Sequence, residues 1–146
     1  MNTTEHCIEV CNKLLRGERS AVETYDLAIR KFGNDSAMTE LNRLREHHVD
    51  AVAALEENVL SMGGQPDASA GAWGVFANTV QGAANLFGAN SALEALQKGE
   101  QSGLGDYQKA LEDEDVMAEC KTLIQGRLLP RTAEHVTTLD RLQKAA

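Results

Sequence analysis

The sequence predicts an all-α chain: four long helices in a bundle, with one lengthwise crossover that carries a short extra helix. Three observations predict it. A stretch is carried twice, at 15–29 (LRGERSAVETYDLAI) and 97–111 (QKGEQSGLGDYQKAL), with a basic residue, Gly, Glu, Ser, Tyr and Ala at the same offsets. A weaker echo follows each copy, because His48, Val49, Val52 and Leu55 share the spacing of His135, Val136, Leu139 and Leu142. Each half therefore reads as a helical hairpin, and the long connection from Gly63 to Asn90 is what a return along the length of a bundle requires. No run alternates with the period of two that marks a half-buried strand.

The first helix begins near Thr3 or Thr4, a candidate N-cap, and runs to about Phe32 on the apolar positions Ile8, Cys11, Leu14, Leu15, Val22 and Ile29. Gly33 and Asn34 stop it. Asp35 or Ser36 then caps a second helix reaching about Met62, where Gly63, Gly64 and Pro66 give a strong stop. So short a turn makes these two helices antiparallel neighbours. Residues 63–71 (GGQPDASAG) read as loop, and beyond them Trp73, Phe76, Val80, Ala84 and Phe87 form one apolar stripe at spacings of three and four. Residues 72–87 contain no Lys or Arg, which argues against a membrane-surface helix and for a packing face. A helix of ~16 residues covers ~24 Å at ~1.5 Å per residue, enough to serve as a crossover. Its stripe is expected to lie against the bundle or against a second copy of the chain, so a homodimer is the association to expect; an exposed patch of that size is unusual on a monomer. Residues 88–90 break this helix, Ser91 caps the next, and that fourth helix carries the second copy of the motif to about Glu112. The acidic run at 112–115 (EDED) holds the last turn. The final helix extends from about Val116 to Lys144, with Gly126 and Pro130 expected to kink it.

A chain of 146 residues suits a single domain spanning 1–146. Its net charge of -8 and the absence of clustered Lys and Arg exclude nucleic acid and anionic membranes as partners. No apolar stretch approaches the ~20 residues of a membrane span, and no targeting segment is visible, so a cytoplasmic location is expected. Three cysteines, Cys7, Cys11 and Cys120, are too few for a disulfide framework and fit a reducing compartment. No Gly-rich phosphate loop, GxSxG elbow or Ser/His/Asp arrangement is present, and the sequence does not decide whether the chain is an enzyme.

The chemistry lies in the repeat. Helical periodicity sets Glu18 on one face with Leu14, Val22, Tyr25 and Ile29, and Glu100 with Leu93, Leu96, Leu104, Tyr107 and Leu111. Each hairpin thus aims one carboxylate inward from its first helix and one imidazole from its second. Glu18, His48, Glu100 and His135 are accordingly the candidate metal ligands, a donor set suited to iron or another divalent ion. Di-iron bundles, however, take a Glu from each of two helices and a Glu-x-x-His pair from each of the other two. Three residues before His48 stands Arg45, and three before His135 stands Thr132, so both bridging glutamates are missing. Arg45 would serve there as a counter-ion to Glu18, since guanidinium offers no lone pair. Four ligands could hold one ion; the competing reading is a buried polar network that fixes helix register. Tyr25 and Tyr107 suit that network, as core aromatics whose hydroxyls need partners.

Register bears on both readings. A hairpin turning near Asn34 meets the level of Glu18 near residue 50, close to His48. One turning at 113–115 meets the level of Glu100 at 126–130, so His135 reaches it only if Gly126 and Pro130 absorb extra residues; otherwise Arg127 or Arg131 stands opposite. His47 reads as a surface residue. His6, Cys7 and Cys11 cluster on the first helix at a spacing that can put two thiols on one metal, but without a CxxC motif buried free cysteines are the expectation. A lengthwise crossover makes the first and last helices parallel and places Cys120 at the level of Cys7 and Cys11.

The segments LLRGERSAVETY and LQKGEQSGLGDY, with SMGGQPDASAGAW between them, resemble an uncharacterised bacterial family of ferritin-like four-helix-bundle proteins described as a domain of unknown function. The resemblance covers nearly the whole chain. The first helix is also similar to its counterpart in bacterioferritin, with Leu14, Leu15, Glu18 and Tyr25 in matching places. The resemblance implies a ferritin-like fold, which by itself implies no activity. The function expected is that of a non-enzymatic structural or interaction protein with a degenerate metal site, and the alternative is a non-haem iron oxidoreductase or metal-storage protein.

Overall fold

The computed structural model describes residues 3–32, 37–86 and 88–145, and every regular element among them is helical. The elements are α1 (Thr3–Phe32), α2 (Met38–Ser61), α3 (Gly74–Leu86) and α4 (Ala89–Glu112), then a last helix in three parts: α5 (Ala118–Leu123), a π-helical turn (Ile124–Leu128) and α6 (Leu129–Ala145). The stop at Gly33 and Asn34, the caps Asp35 and Ser36, Phe87, and the side chain of Ala84 lie outside the described residues. Ser91 is not a cap: α4 already begins at Ala89, after Gly88 turns the chain at φ 77°.

Cross-helix pairs fix the directions. Arg19 meets Glu56 at 2.7 Å and Arg45 meets Asp26, so α1 and α2 run antiparallel. Tyr25 faces Glu100 and Tyr107 faces Glu18, so α4 opposes α1. The last helix opposes α2, through Arg131 on Asp50 (2.5 Å) and Arg43 on Glu134 (2.7 Å), and opposes α4 through Gln143 on Gln97 (2.8 Å). It therefore runs parallel to α1, and Cys120 sits against Cys11, with 2.9 Å between the sulfurs.

The core has two apolar clusters. One gathers Tyr25, Leu44, Trp73, Val80, Leu96 and Leu139; the other gathers Cys11, Leu15, Leu55, Tyr107, Ile124 and Leu128. Between them, each long helix contributes one buried carboxylate or imidazole: Glu18 from α1, His48 from α2, Glu100 from α4 and His135 from α6. The polar layer thus lies mid-length, covered on both sides by hydrocarbon.

The connection after α2 is bound to α1. The Asn12 amide donates to the Gln65 carbonyl (3.1 Å) and accepts from the Asp67 N–H (2.8 Å), while Arg16 and Arg19 each reach Asp67 at 2.8 Å. The backbone and hydroxyl of Ser69, aided by Arg16, hold the Asp67 carboxyl down at about 2. At the head of α3 the Trp73 N–H donates to Ser20 Oγ at 2.8 Å, so a serine of the repeated motif receives the crossover. The α3 stripe faces its own chain: Trp73 and Val80 are buried, and Phe76 packs edge-on against Trp73 with centroids 6.2 Å apart.

The motif glycines differ in what surrounds them. A Cβ on Gly99 would fall 2.7 Å from the Trp73 ring, whereas one on Gly17 would meet nothing within 4 Å. Gly99→Ala should therefore destabilise the fold by ~1–3 kcal/mol through overpacking, and Gly17→Ala should stabilise it by up to ~1 kcal/mol through helix propensity. Urea unfolding of the two variants checks this; equal shifts would refute the difference.

The π-helical turn has a local cause. Pro130 has no N–H, and its ring would clash with the carbonyl of Gly126 four residues earlier in a regular α-helix. Widening the turn moves that carbonyl away, and the Leu129 N–H bonds instead to the Ile124 carbonyl, five residues back. The kink expected at Gly126 and Pro130 is thus an extra residue wound into the helix.

Candidate functional site: the buried Glu/His/Tyr layer

Glu and Tyr stand seven residues apart in each motif copy, two turns along one helix face. Because α1 and α4 are antiparallel, each Tyr meets the Glu of the other copy. The Tyr25 hydroxyl donates to Glu100 Oε1 at 3.0 Å, and the Tyr107 hydroxyl donates to Glu18 Oε1. His48 lies between the carboxylates, with Nδ1–H on Glu18 Oε2 at 2.5 Å and Nε2–H on Glu100 Oε1. His135 Nδ1 approaches the Glu100 oxygens at 3.2 and 3.3 Å. Its Nε2 faces His47 Nδ1 at 2.8 Å, with the two rings stacked.

A ring that donates from both nitrogens is an imidazolium. Burial works against charging His48, but the Glu100 and Glu18 charges, with their hydrogen bonds, outweigh it and hold its pKa up at about 10. Burial likewise works against an ionised Glu100, yet the His48 charge and the bonds from His135 and His48 pull it down to about 2. Both tyrosines are pushed well above their ordinary value, first by burial and then by the carboxylate each contacts, so they remain donors. His47 is pushed down by burial, with His135 and Arg131 adding to the effect. A neutral His47 can donate from Nδ1 to His135 Nε2, which leaves His135 Nδ1–H for Glu100. Among the described residues no buried side-chain nitrogen or oxygen lacks a partner.

All four candidate residues meet in this layer, and His135 does reach Glu100. Four neighbours depart from the sequence expectations. Arg45 is not the counter-ion of Glu18: it turns outward to Asp26 and Glu46, and His48 supplies the positive charge instead. Arg127 and Arg131 do not face Glu100: both bind Asp50, whose carboxyl they pull below its ordinary value. His47 is half-buried and part of the chain of rings rather than a simple surface residue. The doublet His47–His48 could have signalled that, since consecutive helical residues point ~100° apart and can address both α1 and the last helix.

A cavity of about 40 Å³ adjoins the layer, reaching Glu18, His48, Glu100, Trp73 and Thr132. That is room for one or two waters or an ion. The residues do not fit a carboxylate-bridged pair of metals. Thr132 spends its hydroxyl on the Leu128 carbonyl (2.8 Å) and Arg45 points away, so neither position three residues before a layer histidine supplies a bridging carboxylate. His48, Glu100 and His135 do present three donor atoms within 4.8 Å of one another, a span one ion could gather.

No helix among the described residues is long and apolar enough to cross a membrane. No curated protein and no solved structure gives a match to this chain. A family model does match, over residues 6–113, a span that contains Glu18, His48 and Glu100 and ends at the turn before the last helix. The chain belongs to the family described as Domain of unknown function (DUF2383).

Proposed function

We propose that the protein is a non-enzymatic, ferritin-like four-helix bundle acting as a structural or interaction module, possessed of a degenerate metal site whose role a protonated histidine has taken over. The antiparallel and parallel pairings and the crossover through α3 support the ferritin-like reading. The observation that carries the functional reading is His48, whose two ring nitrogens each engage a carboxylate from a different helix. In that position an imidazolium does what a cation does in a metal centre: it neutralises converging carboxylates and ties three helices together. The α3 stripe packs on its own bundle and so lends no support to a homodimer, while a cytoplasmic location accords with the three free thiols.

A second reading has one specific observation in its favour. The close approach of His48, Glu100 and His135 would let one divalent ion, iron included, bind there with Glu18 completing the set once one His48 nitrogen loses its proton. Nitrogen-15 spectra of the imidazoles separate the two. The first reading expects both His48 nitrogens protonated near neutral pH and no metal in protein prepared with iron, zinc and manganese present. Near-stoichiometric metal, lost in Glu100→Ala, with a His48 nitrogen stripped of its proton, would overturn it in favour of the second.

A further inference from the structure

Away from the polar layer, the end of the bundle where α1 begins brings the three thiols of the chain together. Cys7 and Cys11 lie one turn apart on α1, and the parallel course of the last helix adds Cys120. All three are free, fully buried, and hold their sulfurs within 4.8 Å of one another. We propose that Cys7, Cys11 and Cys120 form a three-sulfur binding site for a soft, thiophilic d10 cation, with Cu(I) the ion of best fit.

Thiolate–metal bonds of ~2.3 Å would place the three sulfurs of a trigonal plane ~4.0 Å apart. The cluster is already within reach of that spacing, with Cys11 and Cys120 at 2.9 Å and every pair inside 4.8 Å. Soft sulfur donors select Cu(I), zinc or iron–sulfur clusters, and the surroundings choose among them. Structural zinc and iron–sulfur sites take four protein ligands. Among the described residues no fourth imidazole, carboxylate or thiol joins this group, and the nearest imidazole in sequence, His6, has its Nε2 on Asp113 at 2.6 Å. The sulfurs are shut off from solvent among apolar neighbours, which disfavours a water as the fourth ligand of a tetrahedron. An ion content with three sulfurs fits such a site.

Outer contacts are present as well. The Asn58 amide donates to Cys11 Sγ at 3.2 Å and the Met117 N–H donates to Cys7 Sγ at 3.4 Å, bonds that strengthen as the sulfurs become thiolates and give up their protons to solvent. The walls are the apolar cluster that contains Leu55, Val59, Val116 and Ile124, which would shield bound Cu(I) from water and oxidants.

The test uses the full chain, reduced and free of oxygen, with Cu(I) supplied from a bicinchoninate complex. One equivalent should pass to the protein, X-ray absorption should show three sulfur neighbours and no nitrogen or oxygen, and zinc offered in the same way should not be retained. Cys7→Ser, Cys11→Ser and Cys120→Ser, each checked for helical content, should lose that equivalent. Glu18→Gln should keep it, which separates this site from the polar layer. Cu(I) left entirely with the chelator, or a first shell containing nitrogen or oxygen, would overturn the proposal on the unmodified protein. Retention of zinc without Cu(I), or retention of Cu(I) by folded serine variants, would overturn it too.

Discussion

Replacing His48 with alanine is expected to cost the fold ~3–5 kcal/mol, the range for removing one partner of a buried ion pair, and to lower Tm by roughly 10 °C in a chain of this size. The loss comes less from the missing bonds than from what stays behind. Glu18 and Glu100 would remain buried, facing each other's helices with no cation between them. Glu18 would retain only the Tyr107 hydroxyl, and Glu100 those of Tyr25 and the His135 ring. If the penalty is uncompensated charge, it should be recoverable: adding Glu18→Gln and Glu100→Gln to the His48→Ala chain should return at least half of the lost stability, because neutral amides need no counter-ion. Guanidinium unfolding of the single and triple variants decides the matter. A His48→Ala protein as stable as the original would remove the ionic account altogether.

Stability should peak between about pH 4.5 and 6.5 and fall on both sides. The sign follows from the two shifted groups. His48 is raised from 6.5 to about 10, so its contribution is complete below 6.5 and is lost as pH climbs through about 10. Glu100 is lowered from 4.5 to about 2, so its contribution is complete above 4.5 and is lost as pH drops through about 2. Both shifts contain the His48–Glu100 attraction, beside the share of Glu18 in one and of His135 in the other, so their effects on stability do not simply add. Urea midpoints across the pH range should trace a plateau with two shoulders in the original chain and lose the alkaline shoulder in His48→Ala. A flat profile would contradict the ionised layer.

Much of this was legible in the residues. The course of α1 and the end of α4 at Glu112 follow from apolar periodicity and from the acidic run that begins there, and the inward placement of Glu18 and Glu100 follows from the hydrophobic faces that hold them. The level of Cys120 follows from helix direction alone. What escaped were facts set by contact between helices. Whether Arg45 or His48 neutralises Glu18 depends on which side of α2 packs against α1, and the nearby Asp26 offers Arg45 an exposed partner that needs no desolvation. The involvement of His47 depends on how far the last helix is rotated. That rotation did leave a trace: the buried positions Cys120, Ile124, Leu128 and Thr132 recur every four residues, which in a helix of 3.6 residues per turn drifts ~40° per step off a single face. Only a wider turn keeps such a run pointed inward.

The π-helical turn between Ile124 and Leu128 makes chain length itself decide which residues face the core. It behaves as a single inserted letter whose effect is to change the phase of everything after it. Cys120 precedes the insertion and His135 follows it, so the two chemical centres of the last helix lie on opposite sides of a reading-frame shift written in angle instead of codons. Deleting one residue there would restore an ordinary helix and swing one segment by ~100° relative to the other. No arrangement of the shortened helix could then serve both the thiols at one end and Glu100 at mid-length, although no residue of either centre had been altered.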